Sequence, residues 1–279
     1  MTLRYLRPLE PAAVTVVMCD ADGNLFPSEE PAFDASVDVT NRYLASLGIS
    51  RRYTAQELRI ATTGKNFRTT AVDLAVEWGV PVDTVLAGGR SGAVAPGDAS
   101  GPVLTARALE EWVRRERDEV TAHLGSVLRP DPRVLEPLRR VSRAYGLAAV
   151  SSSALMRLKA CFTATGLDGL IPADVRFSAE DSLPSPTSKP DPAIYRFALD
   201  ALGIQPEQAV AIEDSVPGVA SAVAAEIPTI GNLLFVPPGE RAGRCDELAA
   251  AGACAVTDSW QDIAALLAAS VDEAEGSAV

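Results

Sequence analysis

The chain has 279 residues, 47% of them hydrophobic and 22% charged, and a formal net charge of −12. That length suits one large domain or a core carrying a smaller inserted one, and that composition is ordinary for a globular protein. The charge excludes a general nucleic-acid binder, which needs a basic footprint, and no apolar run approaches the roughly 20 residues that span a bilayer.

The opening segment "MTLRYLRPLEPAAV" lacks the continuous apolar stretch of a signal peptide, so the expected location is cytoplasmic. The first clear element is the apolar run "VTVVMC" at 14–19, which breaks off at "DADGN", residues 20–24. A strand gains nothing in stability from ending on two carboxylates, so Asp20 and Asp22 call for a chemical reason.

The next apolar run comes more than a hundred residues later, too far for a single crossover. The intervening pattern is helical: "FDASVDVTNRYLASLG", "TAQELRIATTG", "FRTTAVDLAVEWG" and "LTARALEEWVRRERDEVTAHLG". Residues 28–128 therefore read as an inserted all-helical domain, with 1–27 and 129–279 forming a discontinuous core. Within the insert, "AGGRSGAVAPGDASGP" (87–102) is rich in glycine, proline and small polar residues and predicts a flexible loop, either a linker or a substrate gate.

Beyond the insert, short apolar runs recur at "GLAAV" (146–150), "VRFSA", "AVAI" (209–212), "IPTIGNL" and "ACAVT". Helical segments are predicted between and after them at about 154–165, 192–202, 216–225 and 259–268, with Pro192 and Pro217 near two helix starts. This alternation is the signature of a parallel sheet with helical crossovers, an α/β fold. The acidic tail "ASVDEAEGSAV" is expected to be disordered.

Ligands of an open parallel sheet bind beyond the carboxyl ends of its strands. There the sequence places Asp20, Asp22, Gly23 and Asn24, then Ser151, Ser152 and Ser153, then Glu213, Asp214 and Ser215. Lys189 stands just ahead of the 192–202 helix and is one of only three lysines, with Lys65 and Lys159, in a chain that otherwise uses arginine. Helix capping by the serines and macrodipole pairing by the acids would explain each group alone. Their coincidence at one sheet edge favours a site.

The single histidine, His123, lies on a charged helical stretch, and the four cysteines (Cys19, Cys161, Cys245, Cys254) show no metal-ligand spacing. Serine–histidine, cysteine–histidine and multi-histidine metal chemistries thus lack parts. Phosphoryl transfer suits what remains. A carboxylate can attack phosphorus once Mg²⁺ bridges it to the phosphate, while a lysine, a serine and turn N–H groups hold the oxygens. An acid two residues on can protonate the leaving alkoxide and later activate water.

"DADGN", the serine after "GLAAV", "SKPDPAIY" and "AIEDSVPGVASA" occur in an order that resembles the haloacid dehalogenase superfamily, in the branch with a helical cap between its first two motifs. The resemblance runs from about residue 14 to 231. It implies a Rossmann-like core, a cap that closes to exclude water, and Mg²⁺ held by Asp20, Asp214 and the carbonyl of Asp22. Asp20 would be the nucleophile and Asp22 the general acid/base, with Ser151 and Lys189 holding the phosphate and Glu213 behind the metal ligands. The backbone of Gly23, Asn24 and Ser152 would complete the phosphate cradle. Lys65, Asn66 and Arg68 in "GKNFR" are the cap candidates for substrate contact.

The expected activity is a Mg²⁺-dependent phosphatase acting on a small phosphorylated metabolite, of the sugar or nucleoside monophosphate type. Asp22 sets it apart from the dehalogenases, which lack that acid. A sugar phosphomutase of the β-phosphoglucomutase type is the alternative, although Phe67 stands where its cap arginine would be and Arg68 comes one position late. A Schiff-base enzyme built on Lys65 and a catalytically idle binding protein fit less well. The sequence departs from the family at Asn24, where threonine is usual, and at Glu226, where a helix-ending glycine is common.

Overall fold

The structure, a computed structural model, describes residues 3–7, 13–62, 66–88, 90–97 and 101–276. Its strands are β1 (Arg4–Tyr5), β2 (Val16–Cys19), β3 (Gly146–Ser151), β4 (Arg176–Ser178), β5 (Ala209–Glu213), β6 (Thr229–Asn232) and β7 (Ala255–Thr257). They form one sheet in the order β1-β7-β6-β5-β2-β3-β4. Every neighbouring pair is parallel except β1 on β7. In register, Cys19 lies between Ala149 of β3 and Ile212 of β5.

β2, β3 and β5 are buried almost end to end, as strands covered on both faces must be. The chain runs from β2 outward to β4, then returns to the other side of β2 for β5, β6 and β7. The order reverses beside β2, so its carboxyl end opens onto the crevice where ligands of such sheets bind.

The first five helices after β2 are α1 (Glu29–Ser46), α2 (Ala55–Thr62), α3 (Phe67–Glu77), α4 (Thr84–Ala87) and α5 (Ala106–Val127). They form a compact unit, Glu29–Val127, with its own core of Tyr43, Leu44, Val72, Leu74, Val82, Leu104 and Leu109. The Tyr43 hydroxyl donates to the Ala71 carbonyl at 2.6 Å, which satisfies the one polar atom of that buried ring. Part of the 87–102 segment is tied down. Arg90 pairs with Asp73 of α3 at 2.8 Å, and the Val82 N–H donates to the Val94 carbonyl at 3.0 Å.

The second unit comprises Met1–Ser28 and Leu128–Val279. Its helices are α6 (Pro132–Val141), α7 (Leu155–Thr165), α8 (Ala193–Leu202), α9 (Val216–Ala224), α10 (Arg241–Ala251) and α11 (Trp260–Gly276). Three of its elements were not anticipated: β1, α6 and α10. The disorder expected of the acidic tail is corrected for its described part, since α11 continues to Gly276, while residues 277–279 lie outside the described residues; alanine and glutamate are good helix formers. Among the described residues, no helix is long and apolar enough to cross a membrane.

Candidate active site

The end of β2 turns sharply at Gly23, which holds a φ of +77°. A Cβ added there would stand 2.2 Å from Oδ2 of Asp214, so the turn needs glycine both for its conformation and for its closeness to that acid. Gly23 N–H donates to the Phe26 carbonyl at 3.0 Å, and Asn24 N–H leans on the Ala21 carbonyl at 3.4 Å. The two N–H groups expected to cradle phosphate are thus engaged within the turn.

Asp20, Glu213 and Asp214, from the ends of β2 and β5, are buried, and they can present carboxylate oxygens within 4.8 Å of one another. Lys189 reaches into the group. Its Nζ donates to Asp20 Oδ1 at 2.5 Å, Glu213 Oε1 at 2.7 Å and the Val150 carbonyl at 2.7 Å. All three donors of the ammonium are thereby used. Ser152 accepts the backbone N–H of Lys189 at 3.1 Å, which fixes the loop that delivers the lysine.

Burial pushes the Asp20 carboxyl well above the ordinary carboxylate range. Lys189 opposes that rise, while Glu213 and Asp22 add to it. Burial alone would lower the Lys189 ammonium, but the charges of Asp20 and Glu213 outweigh it and raise the group. The two carboxylates thus hold the ammonium charged, while the lysine only opposes the loss of charge on Asp20.

Asp22 points to a different set of groups. Its two carboxylate oxygens accept hydroxyls from Ser28 at 2.5 Å and Ser153 at 2.7 Å. The Ser151 hydroxyl, buried at the end of β3, accepts the Ser153 N–H at 3.0 Å. A carboxylate fixed by two hydroxyls and set two residues from Asp20 can exchange protons with a group bound between them.

Asp20 and Glu213 share the Lys189 ammonium, and Oε2 of Glu213 is buried without a hydrogen-bond partner. A Cβ on Gly218 would fall 1.8 Å from that oxygen, so glycine at the start of α9 leaves room for the carboxylate. An orphaned buried oxygen and a cluster of carboxylates as an all-oxygen donor set fit a hard divalent cation. Glu213 belongs to that cluster more directly than the sequence suggested.

The insert residues are arranged otherwise. Lys65 lies outside the described residues. Asn66 caps α3, its Oδ1 accepting the Thr69 N–H at 2.9 Å. Arg68 forks onto both oxygens of Glu110 in α5, with Nη2–Oε2 at 2.7 Å. The polar groups of Asn66 and Arg68, expected to contact substrate, thus serve a helix cap and an ion pair within the insert.

The sequence reading missed Tyr195, whose hydroxyl donates to Glu213 Oε1 at 2.5 Å while its ring lies under Lys189 Nζ, 5.2 Å from the centroid. It also missed the hydroxyls on Asp22 and the partner of Asn24. Tyr195 stands six residues after Lys189, on the inward face of α8, and that spacing was the available signal.

A family model for haloacid dehalogenase-like hydrolases matches residues 14–226. A phosphorylated carbohydrates phosphatase of Thermotoga maritima is 29% identical over 128 residues, 44% of this chain and 55% of that protein. A CBBY-like protein of Arabidopsis thaliana is 49% identical over 45 residues, 16% of this chain and 14% of that protein. The chain thus matches about half or less of the length of these curated relatives. Among solved structures, a HAD family hydrolase of Deinococcus radiodurans with bound phosphate and sodium superposes with a TM-score of 0.59 at 26% identity, covering 93% of this chain and 97% of that one.

Proposed function

The chain belongs to the haloacid dehalogenase-like hydrolase family, and from that premise we propose that it is a Mg²⁺-dependent phosphatase of small phosphorylated metabolites, with Asp20 as nucleophile. The observation that carries this reading is the buried meeting of Asp20, Lys189, Glu213 and Asp214, with Asp22 held two residues beyond the nucleophile. A phosphorylated sugar is the favoured class of substrate, supported by the relative that acts on phosphorylated carbohydrates; a nucleoside monophosphate is the other candidate.

The division of labour follows from the geometry. Lys189 favours the ionised form of Asp20 and fixes one of its oxygens, leaving the other to attack phosphorus and form an aspartyl-phosphate. Asp22 gives its proton to the departing alkoxide. It then takes one from the water that attacks the aspartyl-phosphate, releasing inorganic phosphate and restoring Asp20. Ser151 holds phosphate oxygens as charge shifts between donor and acceptor. Asp20, Asp214 and the Asp22 carbonyl would hold Mg²⁺, with Glu213 beside them. The bound cation would neutralise the phosphate against the approaching carboxylate.

A dehalogenase needs no second acid, so Asp22 favours ester cleavage with a poor leaving group. A phosphomutase must also grip a second phosphate, and the engagement of Arg68 with Glu110 favours the phosphatase over that alternative. The test is a panel of sugar phosphates and nucleoside monophosphates read by phosphate release. Wild type should release phosphate only with Mg²⁺ present, and Asp20→Asn should release none. Metal-independent turnover, or isomer interconversion without phosphate release, would overturn the reading.

A further inference from the structure

Behind the nucleophile lies a chain of buried amides that the proposed reaction does not use directly. Asn24 is fully buried, and its Nδ2 donates to the Asp20 carbonyl at 2.8 Å and to the Ile212 carbonyl at 3.2 Å. Its Oδ1 accepts Nδ2 of Asn232, the last residue of β6, at 2.7 Å. Asn232 is itself fully buried, and its Oδ1 accepts the Leu234 N–H at 3.1 Å. The backbone carbonyl of Asn24 accepts the indole N–H of Trp260, at the start of α11, at 3.1 Å.

The polarity of this chain has only one arrangement. A backbone N–H orients the Asn232 amide, so its NH₂ must face Asn24. Asn24 must then present its oxygen to Asn232 and its own NH₂ to the two carbonyls. Reversing either amide would set oxygen against oxygen in a site buried from solvent. We propose that Asn232 and Asn24 act as a unit that positions Asp20. Asn232 locks the Asn24 amide, and Asn24 pins the peptide carbonyl from which the nucleophile projects. Neither side chain touches substrate; both are positioning residues. The proposal rests on the reading of Asp20 as the nucleophile of a phosphatase.

The test is Asn232→Asp, which preserves shape and the acceptor for Leu234 but removes the donor that locks Asn24. The Asn24 amide must then turn, withdrawing Nδ2 from the Asp20 carbonyl. With p-nitrophenyl phosphate and Mg²⁺, kcat should fall roughly ten- to hundred-fold, the scale of a misplaced reacting group. KM and the apparent Mg²⁺ affinity should stay at wild-type values. Asn24→Ala, Asn232→Ala and the double variant should show the coupling of residues that act together, the double losing no more than the worse single. Near-ultraviolet circular dichroism would establish that each variant is folded; if the alanine variants are not, the aspartate variant alone decides. Folded variants with wild-type kcat and only a lower Tm would overturn the proposal. A wild-type chain that releases no phosphate would overturn this proposal and the functional reading together.

Discussion

Glu226 shows how one side chain can work against its own backbone. The last turns of α7, α8 and α10 close through Gly166, Gly203 and Gly252, each with positive φ. The turn after α9 closes the same way, with Glu226 N–H donating to the Val223 carbonyl at 2.9 Å and Ile227 N–H to the Ala222 carbonyl at 3.1 Å. Here, however, a residue with a Cβ holds a φ of +64°, at a cost of about 1 kcal/mol. Glu226→Gly removes that strain and loses part of the gain to a freer unfolded chain. The expected outcome is a rise of about 0.5 kcal/mol in stability, read as a Tm increase of roughly 1–2 °C by calorimetry. A fall in Tm would mean that the carboxylate contributes more than the backbone strain costs.

The connection from α7 to β4 depends on one buried cation. Arg176, at the start of β4, donates from Nε to the Ile171 carbonyl at 2.8 Å and from Nη2 to Asp168 at 2.6 Å. Its guanidinium lies over the Phe162 ring of α7, 4.1 Å from the centroid. Partial burial raises the Asp168 carboxyl, but hydrogen bonds from Arg176 and Thr163, with the charges of Arg176 and Lys159, outweigh it and hold the group low. A carboxyl lowered by folding contributes stability above its unfolded value, near pH 4, and loses it as pH falls through the lower folded value. Asp168 is half exposed, so the effect is screened, and Asp168→Asn should cost about 1 kcal/mol at pH 7. Denaturant curves for the two proteins should converge as pH falls through the lowered folded value; a difference that persists in strong acid would assign the loss to packing instead.

Some elements were legible in the sequence for the same reason that they fold. The strands from β2 to β7 are apolar runs bounded by polar ends, and the helices of the insert repeat their apolar residues at helical spacing. β1 is two exposed residues, "RY", which carry no pattern. α6 has a capping Asp131, Pro132 in its first turn and a stripe of Val134, Leu135, Leu138 and Val141, but Pro137 inside it breaks the signal. In α10 only Cys245 and Leu248 are buried, too few to mark a face. Asp20, Asp22, Ser151, Lys189 and Asp214 could be found because a parallel sheet gathers its strand ends at one edge. Asn232 could not, since its partner Asn24 is fixed only when β6 packs into the sheet.

At the scale of the whole molecule, every group proposed to perform chemistry comes from one compact unit, Met1–Ser28 with Leu128–Val279. The acidic chain answers an anionic substrate with one buried lysine and a carboxylate cluster suited to a cation, rather than with a basic surface. The central claim is that Asp20 becomes phosphorylated, and acid quenching during turnover of a sugar phosphate with Mg²⁺ tests it directly. The account predicts that, by mass spectrometry, the peptide containing Asp20 gains the mass of one phosphoryl group in Asp22→Asn, where breakdown of the intermediate is slowed. It predicts no phosphorylated peptide in Asp20→Asn. A phosphoryl group on any other residue, or phosphate release that survives the loss of Asp20, would contradict it.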